Sequence, residues 1–115
     1  MTCVGIVGGL GVGATVHYYE KITAACKARG VVPDLAFVHA DVDRGQGFVR
    51  EGRLDALADY LAAFIARLAA AGATVAALPA VTPHICVAEL LPRIHLPLIN
   101  IVDAIGAALN ASPVS

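Results

Sequence analysis

The first segment whose residues could do chemistry is a run rich in glycine. Residues 8–15 read Gly-Gly-Leu-Gly-Val-Gly-Ala-Thr and follow a short apolar stretch. Glycines let backbone N–H groups approach a ligand, and a helix that begins here would direct its N-terminal amides toward an anion. The run therefore predicts an anion site, or a tight strand-to-helix turn without a ligand.

The same run meets a loose form of the dinucleotide-binding fingerprint through Gly9, Gly11 and Ala14. That fingerprint expects an acidic residue about 20 positions further on to bind a ribose hydroxyl. The nearest candidate at a strand end is Asp41, which lies 30 positions beyond Gly11. Nucleotide binding stays open as an alternative.

Two further segments carry polar groups that could bind a ligand or transfer a proton. Residues 78–84 end in Thr82 and His84. A hydroxyl and an imidazole at a strand end can bind a carboxylate or shuttle a proton, although a histidine that is only hydrogen-bonded is the alternative. Residues 41–53 are polar and contain three glycines, which is typical of a loop that carries function.

The cysteine content argues against a disulfide framework and a zinc site. Cys3, Cys26 and Cys86 are an odd number and show no C-x-x-C spacing. We therefore expect a reducing, cytoplasmic location and no bound metal. Cys3 and Cys26 fall on a predicted buried strand and on the apolar face of a predicted helix, so both are expected to pack. Cys86 is expected to pack as well, with a reactive thiol as the alternative.

The elements that must position these segments alternate between strand and helix along the chain. Short apolar runs with β-branched residues predict strands, and apolar residues at i, i+3 and i+4 predict helices. Asp103 is expected to cap the last helix. The predicted strands are residues 3–7, 34–40, 74–78 and 98–102, and the predicted helices are residues 14–29, 54–71, 85–91 and 104–110.

This alternation predicts one α/β domain over residues 1–115, with a doubly wound, four-stranded parallel sheet and helices on both faces. Ligands of such sheets bind beyond the carboxyl ends of the strands. The polar and glycine-rich clusters of the chain fall at those ends, at residues 8–13, 40–47, 79–84 and 101–103. This convergence predicts a ligand site at that edge.

Composition limits the kind of partner. Hydrophobic residues make up 58% of the chain and charged residues 15%, with a formal net charge of -1. The apolar content excludes disorder, and the absence of a basic surplus excludes a general nucleic-acid binder. The longest stretch without Asp, Glu, Lys or Arg, residues 68–88, contains two prolines and a glycine. No membrane helix is therefore expected, and no signal peptide is predicted at the N-terminus.

Taken together, the segments resemble the Asp/Glu/hydantoin racemase family. Residues 8–15, which two tyrosines follow, are similar to the family's opening glycine motif. Residues 71–74 are similar to its Ala-Gly-Ala-Asp turn, and residues 82–84 to the end of its Cys-Asn-Thr-x-His segment. Residues 97–103 are similar to its last strand, which starts with proline and ends with an acid. Order and spacing agree over nearly the whole chain.

The resemblance implies a cofactor-independent amino-acid racemase of the aspartate/glutamate type. In that family two thiols flank the α-carbon of the substrate, and one removes the α-proton while the other delivers a proton to the opposite face. Neither pyridoxal phosphate nor a metal is required, so no cofactor is expected. The implied ligand is a small amino acid or dicarboxylate.

The resemblance also assigns residues to the site. Backbone N–H groups and hydroxyls at the strand ends would hold the substrate carboxylates and stabilise enolate-like charge. Arg44 is the best cationic partner for a carboxylate. The positions expected to contact substrate are Gly9, Leu10, Gly11, Asp41, Arg44, Val81 and Thr82, and those expected at the proton-transfer position are Ala80, Thr82 and His84.

The sequence departs from the family pattern at the catalytic position. Ala80 stands where the family has its first catalytic cysteine, four residues before the histidine, and Val81 replaces the usual asparagine. An alanine has no proton to exchange. The resemblance further implies that the chain corresponds to the N-terminal half of a two-domain fold, whose second thiol lies in the other half.

We therefore expect the inherited racemase class with little activity in this chain alone. A non-catalytic carboxylate- or anion-binding module and a dinucleotide-binding half domain are the alternatives. Half of a two-domain fold exposes surface that normally meets the other half. The apolar surplus therefore predicts a homo-oligomer or a partner second half.

Overall fold

The computed structural model describes residues 2–79 and 85–110. Over those residues the chain forms a parallel sheet with helices between its strands. The strands are β1 (Val4–Gly8), β2 (Leu35–His39), β3 (Val75–Ala77) and β4 (Leu98–Ile99). The helices are α1 (Val12–Ala28), α2 (Val42–Arg50), α3 (Leu54–Ala70), α4 (Val87–Leu90) and α5 (Ile101–Asn110), and a 3-10 turn, Leu91–Arg93, follows α4.

β1 is a central strand of the sheet, whose order is β2-β1-β3-β4. It pairs in parallel with the whole of β2, from Val4 opposite Leu35 to Gly8 opposite His39, and with β3 on its other side. All five residues of β1 are buried. A central parallel strand is covered on both faces, which explains why its sequence is apolar without alternation.

Helices cover both faces of the sheet, which confirms the predicted doubly wound α/β fold. On one face α3 packs against Val7 and Ala76 through a stripe of fully buried side chains. On the other face α1 and α5 pack against Val4 and Ile6. Full burial of one large aliphatic side chain stabilises a fold by about 1.5–3 kcal/mol. The stripe on α3 consists of Leu57, Leu61, Ile65 and Leu68.

The segment after β2 differs from its prediction, because α2 occupies most of what was expected to be a loop at residues 41–53. Asp41 begins the helix as its N-cap, with Oδ1 accepting the N–H groups of Asp43 at 2.9 Å and Arg44 at 3.4 Å. Gly45 is buried, and a Cβ built on it would lie 3.3 Å from Cδ2 of Leu10. This glycine therefore allows a helix to pack closely and does not mark a loop.

The last helix begins three residues before its predicted start, and its predicted cap was wrong. Oδ1 of Asn100 accepts the N–H of Asp103 at 2.8 Å, so Asn100 does the capping and Asp103 lies in the first helical turn. Because the helix starts at once, β4 has two residues where the apolar run 98–102 predicted five.

The topology places the candidate segments at one edge. The chain leaves β1 toward β2 on one side, while β3 lies on the other side of β1. Loops that leave neighbouring strands in opposite directions open a crevice at the carboxyl ends of those strands. Among the helices in the described ranges, none is long and apolar enough to cross a membrane.

Candidate functional site

The site begins at the turn after β1, where the backbone requires glycine. Gly9 has a φ of +90°, in the left-handed region that side chains disfavour. A Cβ built on Gly9 would lie 2.3 Å from the carbonyl oxygen of Ala40 and 2.9 Å from Cε1 of His39. The N–H of Ala40 also donates to the carbonyl of Gly8 at 2.8 Å. The end of β2 therefore lies directly against the glycine run.

The glycine run continues into the N-terminus of α1. Gly11 is the N-cap in extended conformation, and a glycine cannot offer a side-chain cap. Its carbonyl oxygen accepts both the N–H and the Oγ1 hydroxyl of Thr15, each at 2.9 Å. The first amides of α1 have no intrahelical acceptor. The loop and helix start therefore supply backbone donors and a partial positive charge at this edge.

Leu10 joins this loop to the next one. Its side chain is half-buried and contacts Gly45, in the first turns of α2. Of the predicted substrate-contacting positions, Leu10 therefore packs between two elements, whereas Gly9 and Gly11 shape the backbone. The contact joins the loop that precedes α1 to the N-terminal half of α2.

The corner between β2 and α2 is built from side chains. The carboxylate of Asp41 caps α2, and the N–H of Asp41 donates to the phenolic oxygen of Tyr60 at 2.8 Å. The guanidinium carbon of Arg44 lies 5.2 Å from the centre of the Tyr60 ring and 5.9 Å from that of Phe48. Asp41 and Arg44, both predicted site residues, thus occupy one exposed corner, with Asp41 engaged as a cap.

Several predicted site residues, Ala80, Val81, Thr82 and His84, lie outside the described residues. Before them, Leu78 and Pro79 are buried at the carboxyl end of β3. After them, the 3-10 turn is tied to α3, because Arg93 pairs with Asp59 at 2.8 Å and with Asp55 at 3.3 Å. The structure therefore brings together Gly9, Leu10, Gly11, Asp41 and Arg44 among the predicted positions.

The three thiols are not activated for proton transfer. Burial raises the pKa of Cys26 and of Cys86, and the neighbouring carboxylate of Glu89 adds to the effect on Cys86. Burial and the charge of Asp34 raise the pKa of Cys3. A thiol acts as a base only as its thiolate, which a lowered pKa would favour. The raised pKa therefore favours the protonated form of each thiol near neutral pH.

Sequence reasoning missed one residue that the structure brings into this region. Tyr60 lies 19 positions after Asp41, within a helix whose apolar periodicity predicted only core packing. Its sequence signal was an aromatic residue beside the buried stripe, which does not reveal a contact with another loop. Within the described ranges, no group of three or more His, Cys, Asp or Glu side chains could hold a metal ion.

Comparison with known proteins gives one family and one fold. A family model described as Asp/Glu/hydantoin racemase matches residues 7–114. No curated protein matches the chain. Two solved structures match with 26% identity over 90% of this chain, a candidate Asp/Glu racemase from Yersinia pestis with a TM-score of 0.77 and an aspartate racemase homologue from Pyrococcus horikoshii OT3 with a TM-score of 0.72. The chain covers 46% of each of those proteins.

Proposed function

The chain belongs to the Asp/Glu/hydantoin racemase family, and on that premise we propose that its carboxyl edge binds the carboxylates of a dicarboxylic amino acid. In this proposal the edge is one half of a cofactor-independent racemase cleft. The chain spans about half the length of the two solved relatives. A partner second half, or a second copy of the chain, would supply the other wall.

The observation that carries the proposal is the contact of Gly9 with the end of β2. Because Ala40 lies against Gly9, the N-terminal amides of α1 and the cation of Arg44 occupy the same edge of the sheet. Backbone amides favour the α-carboxylate, which every amino acid has. A guanidinium favours a second carboxylate, because its planar donors match that group in a fork geometry.

The proposed function of this chain alone does not include transfer of the α-proton. Removal of an α-proton requires a base beside the α-carbon, and amide donors then stabilise the enolate-like charge. By family position, Thr82 and His84 would adjoin the substrate, but Ala80 replaces the thiol and cannot exchange a proton. The thiols of the chain have raised pKa values. We therefore propose that this chain binds the amino acid and does not racemise it alone.

An exposed apolar surface supports the proposed assembly with a second half or a second copy. Val12, Val16 and Tyr19 lie on successive turns of α1 and are each about half exposed, at 57%, 49% and 48%. The ring of Tyr19 meets the partly exposed ring of Phe37 edge-on at 5.2 Å. Light scattering that gave only an 11.7 kDa species would argue against assembly of the chain with itself.

The proposal is tested by titration of the isotopically labelled chain with L-aspartate, D-aspartate and succinate, followed through backbone amide signals. We expect saturable shifts at Gly9, Gly11 and Val12 at millimolar concentrations. Gly30 and Gly72, in the turns that follow α1 and α3 at the opposite edge, serve as internal controls and should not shift. Shifts without saturation, or shifts centred on the controls, would contradict carboxylate binding at this edge. The dinucleotide alternative predicts that NAD and not aspartate shifts the glycine run.

A further inference from the structure

We propose that Tyr60 is a positioning residue that holds Arg44 and the β2–α2 corner in place for the second carboxylate of the ligand. This inference rests on the proposed function, since it concerns the same edge. It concerns how the chain distinguishes a dicarboxylic ligand from a monocarboxylic one. No role of Tyr60 follows from the glycine run or from the residues at the end of β3.

The phenolic oxygen of Tyr60 provides the first contact. It accepts the N–H of Asp41 at 2.8 Å, at the residue that immediately precedes α2. Oδ1 of Asp41 in turn accepts the amides of Asp43 and Arg44. The hydroxyl of Tyr60 therefore fixes the residue whose carboxylate fixes the backbone of Arg44.

The ring of Tyr60 provides the second contact. The guanidinium carbon of Arg44 lies 5.2 Å from the ring centre, within the range of a cation–π interaction. The same guanidinium carbon lies 5.9 Å from the centre of a second ring, that of Phe48. A guanidinium stacked on a ring uses its face, so its N–H donors in the plane stay available for a carboxylate. Arg44 is exposed, and within the described residues no carboxylate forms an ion pair with it.

Tyr60 can serve as a support because its helix is anchored in the core. Leu57 and Leu61 of α3 are at most 1% exposed. The ring itself meets Phe64 edge-on at 5.0 Å. A long arginine side chain loses rotamer entropy when it binds a ligand, and a preformed stack removes part of that cost. Arg44 is thereby prepared for its ligand before the ligand arrives.

Among the residues that the structure describes, Arg53 and Arg67 also lie over aromatic rings, and both differ from Arg44. Arg53 lies 5.4 Å from the Phe48 ring but pairs with Glu51 at 3.2 Å. Arg67 lies on the Phe64 ring at 5.3 Å, near the C-terminus of α3 and hence toward the opposite edge. Arg44 is therefore the stacked arginine at the carboxyl edge that has no carboxylate partner in the described part of the chain.

The experiment compares Tyr60→Leu, Tyr60→Phe and the matched control Phe64→Leu. Phe64 is a ring of similar burial on the same helix. It contacts Arg67 and the Tyr60 ring, but not Arg44. The first readout is the ring-current shift of the Arg44 side-chain protons, measured without ligand. The second is the affinity for succinate and for propionate, which differ in the second carboxylate.

We expect Tyr60→Leu to abolish the ring-current shift of Arg44 and to weaken succinate binding about 2- to 5-fold, the size of an exposed cation–π contact, while propionate binding is unchanged. Tyr60→Phe should keep the shift and speed the hydrogen exchange of the Asp41 amide. Phe64→Leu removes an edge-on neighbour of the Tyr60 ring but keeps the ring itself, so it should change the shift and the ratio of the two affinities much less than Tyr60→Leu. An unchanged ratio in Tyr60→Leu, or an equal loss in Phe64→Leu, would overturn the positioning role. If neither acid binds the unaltered chain, the proposed function fails and so does the ligand part of this inference, whereas the ring-current shift still decides whether Tyr60 holds Arg44.

Discussion

The two loops at the carboxyl edge are built in opposite ways. The loop from β1 to α1 depends on its backbone conformation, because Gly9 has a positive φ and lies against Ala40. The corner from β2 to α2 is made of side chains, because Asp41 caps the helix and Tyr60 supports Arg44. In the proposed function, the first loop would bind any carboxylate, whereas the second would distinguish a dicarboxylic ligand from a monocarboxylic one.

The difference also governs how each loop responds to substitution. A loop that depends on its backbone conformation is destabilised when a side chain is added, since at Gly9 there is no space for a Cβ. A corner that depends on side chains loses its contacts one by one, because Asp41, Tyr60 and Arg44 can each be substituted separately. Substitutions in the two loops should therefore differ in how much stability they remove.

The largest effect is expected for Gly9→Ala in the backbone loop. The added Cβ would meet the carbonyl oxygen of Ala40 at 2.3 Å while φ is +90°, so strain and overpacking together should lower the free energy of unfolding by about 3 kcal/mol. The matched control is Gly13→Ala in α1, where a Cβ would meet nothing within 4 Å. We expect the control to raise stability by about 0.5 kcal/mol. Equal urea midpoints for the two variants would show that Gly9 does not lie against Ala40.

A smaller effect is expected for Asp41→Ala in the side-chain corner. Loss of the N-cap should lower the free energy of unfolding by about 1 kcal/mol. Asp41→Asn keeps an acceptor oxygen, so it should lower the free energy of unfolding by only about 0.3 kcal/mol and serves as the matched control. Thermal unfolding of both variants measures the difference. A loss as large as that of Gly9→Ala would mean that the corner, like the glycine loop, fails as a unit.

Titration of the three thiols should leave stability unchanged near neutral pH, because burial keeps each of them protonated there. Burial raises the pKa of Cys3, Cys26 and Cys86 above the unfolded value of about 8.5. The protonated form thus contributes stability that is fully present below that pH and is lost as the pH rises through the folded pKa. Urea midpoints should be level from pH 6 to about 8 and fall above about 9. For Cys86→Ala the fall should be shallower, and a fall that begins below pH 8 would indicate a reactive thiol.

The sequence predicted the parts of the fold that depend on local pattern. Continuous apolar runs identified the buried strands, and the stripe on α3 identified the helix that covers one face. It failed at α2, where Gly45 was interpreted as a loop residue although its role is to let Leu10 approach. It also placed the cap of α5 at Asp103, because a polar residue three positions earlier, Asn100, was assigned to the strand.

The candidate site was predictable only as far as topology allows. Parallel strands bring their carboxyl ends to one edge, so the contact of the glycine run with His39 and Ala40 at the end of β2 follows from the order of elements. The hydrogen bond from Asp41 to Tyr60 joins residues on different elements, and its formation depends on how α3 packs. No local pattern in a single sequence encodes such a contact.

In the proposed function, this edge binds a dicarboxylic amino acid without a group that exchanges its α-proton. The most direct measurement is the α-proton signal of L-aspartate in D2O, followed by NMR. The chain is present at a concentration at which a measurable fraction of the aspartate is bound. We predict that the signal persists at the rate of the protein-free sample while the amides of Gly9 and Gly11 shift. Loss of the α-proton signal in the presence of the chain alone would show that the chain exchanges the α-proton and would contradict this function.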